Sequence, residues 1–304
     1  MHKIEIEQKK VTREFPSEIE EMNQSQYVCF IDLILQYLSG DITVEDIKVK
    51  LLVKLLNIKS DWKYYHLPED DKLYIHSELY RLSELLETYF KTEIRNGNPV
   101  KVFNLNSTRN FVPRIGKYLG PEDALKNCTF AEFRTAHNYF SSYVKDGDED
   151  DLNRLAAVLY RPKRSFLLLH KLLPWFDGRI RTRFTARSNP LFFENRVKKL
   201  AKFPIALRYS VFLYFSGCEE YFRTGKPVVD GKEIDFAVLY EKSEAGEESA
   251  IGMIGLLYSL AETKVFGSIE STDNQNVWDI MIRLYQVVMQ AKQIESKYGS
   301  NKGL

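Results

Sequence analysis

The stretch Tyr27-Val-Cys-Phe-Ile-Asp-Leu-Ile-Leu-Gln-Tyr-Leu-Ser-Gly-Asp-Ile-Thr-Val-Glu-Asp46 decides the fold class. Val28, Ile31, Ile34, Leu35 and Leu38 recur at intervals of three and four, the spacing of one face of an amphipathic helix, and Ser39-Gly40 closes it. Thr43 and Asp46 start a second helix, with Ile47, Leu51, Leu52 and Leu55 facing inward. So short a connection makes the two an antiparallel pair.

The pattern extends in both directions. A third helix is expected over about 71–94, carrying Leu73, Leu79, Leu82, Leu85, Leu86 and Phe90 and ending at Asn96-Gly97, with the aromatic segment 62–66 as the loop before it. Upstream, Ile4 and Ile6 alternate with Lys3, Glu5 and Glu7, so 3–14 reads as a strand stopped by Pro16. Ser17 and Glu20 have the spacing of a capping box, the signature of a helix start. A second strand is expected at 100–105 and is the antiparallel partner of the first, because a lone strand cannot satisfy its own backbone.

Helical signals return at Thr129, again three residues before a glutamate, Glu132, and run to Val144. Asp146 to Asp151 forms an acidic turn that favours the positive end of a helix over 152–160, and Arg161-Pro162 stops that helix. Further helices are expected over 205–222, 250–264 and 274–296. The fold class that follows is mainly α, a multi-helix assembly in two lobes, 1–97 and 98–304, with a small antiparallel β element.

Hydrophobic residues at 44% and charged residues at 28% are ordinary globular values, which excludes a disordered chain. The net charge of +1 gives no long-range field for nucleic acid or an acidic membrane, so any such activity is local. Cys29, Cys128 and Cys218 are odd in number and far apart, as free thiols in a reducing compartment are. With no apolar leader and no apolar stretch of spanning length, the expectation is a soluble, cytoplasmic protein without membrane contact.

Catalytic and cofactor signatures are missing from the sequence. His2, His66, His76, His137 and His170 are scattered and none belongs to an H-E-x-x-H pair. The consecutive acids of 146–151 lack the alternate spacing of a calcium loop. There is no phosphate-binding glycine loop and no G-x-S-x-G elbow, and Cys218 sits among Phe212, Phe215 and Phe222, where a buried inert thiol is expected. No cofactor, no metal and no enzymatic turnover are expected.

One run stands out: Phe176-Asp-Gly-Arg-Ile-Arg-Thr-Arg-Phe-Thr-Ala-Arg-Ser-Asn-Pro190. Residues 161–202 hold twelve Lys and Arg against Asp177 and Glu194, a local charge of +10 that leaves the rest of the chain at −9. In an extended segment Arg179, Arg181 and Arg183 project from one face and Ile180, Thr182 and Phe184 from the other. Such a row suits a carboxylate-rich protein surface, a phosphate backbone, or an internal network with the acidic turn 146–151. The leading expectation is a partner-binding arm made of Arg179, Arg181, Arg183 and Arg187, and the alternative is nucleic-acid binding by 161–202.

Three sets of segments carry a resemblance. They are Phe15-Pro-Ser-Glu-Ile-Glu-Glu-Met-Asn-Gln24; the series Thr129-Phe-Ala-Glu-Phe133, Leu155-Ala-Ala-Val-Leu-Tyr-Arg-Pro162, Phe193-Glu-Asn-Arg-Val197, Lys202-Phe-Pro204 and Leu213-Tyr-Phe-Ser-Gly217; and Leu260-Ala-Glu-Thr-Lys-Val-Phe-Gly267 before the terminal helix. In these the chain resembles bacteriophage and prophage morphogenesis proteins of the tail assembly chaperone kind. The resemblance implies a non-enzymatic structural or assembly protein, located in the host-cell cytoplasm or the virion, whose partners are other phage structural or assembly proteins. It carries over no catalytic residue.

Overall fold

The computed structural model describes residues 1–6, 11–58, 62–95, 97–103, 105–166, 180–182, 184, 190–240 and 252–299. The fold is mainly α with small antiparallel sheets. The chain divides into two compact units, residues 1–106 with 204–210, and residues 107–203 with 211–304.

The first unit is built on α1 (Gln24–Leu38) and α2 (Val44–Leu55). Thr43 and Asp46 form a reciprocal capping box, Thr43 Oγ1 accepting from Asp46 N at 3.2 Å and Asp46 Oδ2 accepting from Thr43 N at 2.9 Å. α1 starts with an equivalent box made by Asn23 and Gln26. Phe30, Ile31 and Ile34 of α1 meet Ile47, Leu51 and Leu52 of α2 in the core, whereas Leu38, expected inward, is exposed on the last turn.

The expected third helix is shorter than its apolar pattern. α3 (Trp62–Tyr65) and α4 (Glu69–Ser83) are followed by a 3-10 turn over Glu84–Tyr89. From there the alternating run 90–95 becomes a strand, and Leu73 and Leu85, expected inward, are exposed.

The β element also differs from the expected ribbon. β1 (His2–Ile6) pairs with β2 (Val11–Phe15), and β3 (Phe90–Arg95) pairs with β4 (Asn98–Phe103) from Phe90↔Phe103 to Arg95↔Asn98. Gly97 therefore lies in the link of a hairpin rather than at a helix stop, and takes a φ of 80° that favours glycine. Closing each hairpin locally costs less loop entropy than pairing strands about ninety residues apart. Tyr89 Oη donates to Pro16 O and Thr88 Oγ1 to Ser17 O, both at 2.7 Å, which ties the end of β2 to the 3-10 turn.

In the second unit α5 (Phe130–Asp146) packs on α6 (Glu149–Leu159) across a tight turn. Gly147 ends α5 at a φ of 69°, and the Asp148 carboxylate caps α6 by accepting from Asp150 N. β5 (Arg114–Ile115), β6 (Tyr118–Leu119) and β7 (Arg161–Pro162) form a three-stranded sheet, so the expected helix stop at Arg161-Pro162 is also a strand. α7 (Pro190–Leu200), α8 (Ile205–Thr224), the small hairpin of β8 (Val228–Val229) and β9 (Lys232–Glu233), α9 (Gly252–Glu262), α10 (Ile269–Asp273) and α11 (Val277–Gly299) follow.

Phe133 of α5, Phe222 of α8 and Trp278 of α11 stack into one aromatic core. Gly217 of α8 lies so close to the chain at Ser107 that an added Cβ meets Ser107 O at 2.3 Å. No described helix is long and apolar enough to cross a membrane.

Candidate functional site

The site grows from the start of α5. Thr129 caps that helix, its Oγ1 accepting from Glu132 N at 3.2 Å, as the sequence spacing predicts. The reciprocal half of the box is replaced: the Glu132 carboxylate turns to two arginines. Glu132 is buried among Phe130, Ala131 and Phe133.

Arg161 and Arg181 reach Glu132 from two different chain segments. Arg161 follows directly on Tyr160, whose hydroxyl is fixed by Val112 O at 2.6 Å and Asn110 Oδ1 at 3.1 Å. Its Nη2 donates to Glu132 Oε1 and its Nη1 to Thr182 O at 2.6 Å. Arg181 sits on a short extended piece that pairs with 162–164, Arg164 N donating to Ile180 O at 2.9 Å and Thr182 N to Pro162 O at 3.0 Å. Arg181 Nη1 donates to Leu159 O at 2.6 Å, and its Nη2 lies 2.9 Å from Asn127 Oδ1 and 3.3 Å from Glu132 Oε2.

The extended geometry expected for the arginine run is present at 180–182, but Arg181 is turned inward at 5% exposed and Ile180 outward, while Phe184 is buried as well. A projecting contact row therefore does not include Arg181. Its counter-charge is Glu132 rather than the acidic turn, of which Asp150 pairs with Arg154. Arg179, Arg183 and Arg187 lie outside the described residues.

The electrostatics of the cluster are uneven. Two buried guanidinium groups share one buried carboxylate, and Arg161 Nε has no acceptor among the described residues. Burial, with Arg181 as a second cation beside it, pulls Arg161 down to about 10, still protonated at neutral pH. Burial also opposes the charge on Arg181, but Cys128 and Glu132 hold it above the ordinary arginine value. Arg196 of α7, stacked on Phe193, is lowered by burial, and its Nε also lacks an acceptor. Among the described side chains of the cluster the charge balance is thus positive, in a place with little surface open to water.

A polar cavity of about 360 Å³ opens beside the cluster. Thr129, Glu132, Arg161 and Arg181 are buried residues of its lining, and Lys126 and Asp279 are exposed ones. Its far wall is held by backbone bonds, Phe130 N donating to Gln275 O and Val277 N to Cys128 O. Asn276 Nδ2 also donates to Lys126 O at 2.6 Å. Cys128 lines the cavity too, and burial pushes its thiol up to about 12, so it is protonated and a poor nucleophile at neutral pH. Burial likewise raises Cys218 on α8.

The histidines are not gathered here. His76 Nε2 lies 2.6 Å from Tyr64 Oη, and His137 Nδ1 lies 2.5 Å from Glu219 Oε1. His170 lies outside the described residues.

The sequence reading missed Glu132 as a site residue because its spacing from Thr129 already had an explanation. The available signal was an acid inside the apolar run Phe130-Ala-Glu-Phe133, where an ionised side chain needs a partner. Comparison of the chain with protein-family models, curated proteins and solved structures finds no match.

Proposed function

We propose that the chain is a non-enzymatic assembly protein of the bacteriophage or prophage morphogenesis kind, working by contact with other phage structural proteins. The observation that supports this reading is the outer face of α4. Leu73 is 71% exposed, Tyr74 67% and Tyr80 51%, with Tyr65 of α3 exposed beside them in sequence. Leu73, Ser77 and Tyr80 recur at four and three, so they form one stripe, and Tyr74 flanks it. Exposed apolar and aromatic side chains along one helix suit a protein-binding surface.

Arg179, Arg183 and Arg187 belong to the same proposal as further contact residues. Arg181 does not, because its guanidinium is committed to Glu132, Asn127 and Leu159. Of the cations between 161 and 202 that carry the nucleic-acid alternative, Arg161 and Arg181 are buried, while Lys163, Lys198, Lys199 and Lys202 are exposed.

A photo-crosslinking residue at Tyr74, in host cells expressing the phage genes, tests the proposal. The expected adduct is a phage structural protein, lost when Leu73→Ser and Tyr80→Ser are combined. Adducts to host proteins alone, or no adduct, would remove the support.

A further inference from the structure

The arginine cluster carries a second inference, independent of the α4 surface. We propose that the cavity beside Glu132 is a binding site for a small oxyanion, a phosphate or carboxylate group, held by Arg161, Arg181 and Lys126.

Three observations lead there. First, Arg161 and Arg181 are both at least nine-tenths buried and share a single carboxylate, so the described residues do not complete the charge balance. An uncompensated buried charge is costly, and an anion in the adjoining cavity removes that cost. Second, both guanidinium groups line the cavity, and the one bond recorded for each Nη1 goes to a backbone carbonyl, Arg161 to Thr182 O and Arg181 to Leu159 O, so each Nη1 has a second N–H to offer an anion. Third, the remaining polar lining suits an oxyanion, with the Lys126 ammonium and the Asn276 side chain beside the planar guanidinium groups. Asp279, also exposed in the lining, is the one group that opposes an anion besides Glu132. It sets the sign of a test.

The volume of about 360 Å³ admits a phosphate or a small dicarboxylate and leaves space for water. Inorganic phosphate and succinate are the probes, titrated calorimetrically into the full chain at constant ionic strength, with chloride as the control. Phosphate or succinate is expected to bind where chloride does not. Lys126→Ala should weaken that binding by roughly 3- to 10-fold, and Asp279→Asn should tighten it by a similar factor, as expected for a unit charge a few ångströms away in a partly solvated site.

Both positions are exposed, so neither substitution disturbs the core, and if one variant fails to fold the other carries the test. Binding of phosphate alone assigns the cavity to phosphoryl groups, and binding of succinate alone assigns it to carboxylates. No binding of either probe, or affinities the same in both variants as in the native chain, would overturn the site.

Discussion

Each unit of the molecule holds one carboxylate between two cations, and the two arrangements differ in their access to water. In the first unit Glu87 accepts from Lys48 and Lys101, both at 2.6 Å, and its side chain is 45% exposed. In the second unit Glu132 lies between Arg161 and Arg181 and is 3% exposed. Lys48 is itself only 3% exposed, its ammonium 5.7 Å from the centre of the Phe90 ring, but Glu87 and Lys101 reach water, so that cluster is half-solvated. Arg161, Arg181 and Glu132 are all 5% exposed or less. The lesson is that the count of cations and anions says little until burial is known, because the same excess of one positive charge is harmless at a rim and costly in a core.

The comparison breaks most sharply at the two carboxylates. Glu132→Gln leaves two buried guanidinium groups facing each other, and a loss of about 3–5 kcal/mol is expected in chemical denaturation. Glu87→Gln leaves buried Lys48 without its carboxylate, but Lys101 and residue 87 stay open to water, and the expected loss is smaller, about 1 kcal/mol. Equal losses would show that the two clusters are equivalent.

Acid sharpens the contrast in the first unit. Hydrogen bonds from Lys101 and then Lys48 hold the Glu87 carboxyl below its ordinary value. A lowered carboxylate contributes stability that is present above the unfolded value and lost as pH falls through the folded one. The protection of the α2 amides, relative to their intrinsic exchange at each pH, should therefore fall as pH drops below the ordinary carboxylate range, and less so in Glu87→Gln. The smallest effect belongs to the α4 surface, where Leu73→Ser with Tyr80→Ser should change stability by no more than about 0.5 kcal/mol while removing the expected crosslink.

Much of the fold was legible because it rests on local chemistry. The Thr43–Asp46 box and the Ile47, Leu51 and Leu52 stripe appear as read. The segment 90–103 was misread because Leu86 and Phe90 continue a helical spacing while Asn96-Gly97 signals a hairpin, and the hairpin governs from residue 90 onward. At the site, the arginine-rich segment was visible in the composition, but its direction was not. Whether Arg181 faces in or out depends on a pairing with 162–164 and on an acceptor 49 residues away, neither of which has a local signal.

The central claim is that the second unit buries one positive charge too many. Urea unfolding of Arg161→Met beside Glu132→Gln tests it most directly. Removing Arg161 leaves Glu132 and Arg181 as a balanced pair, so Arg161→Met is expected to cost at least about 2 kcal/mol less than Glu132→Gln. A loss from Arg161→Met equal to or larger than that from Glu132→Gln would contradict the account.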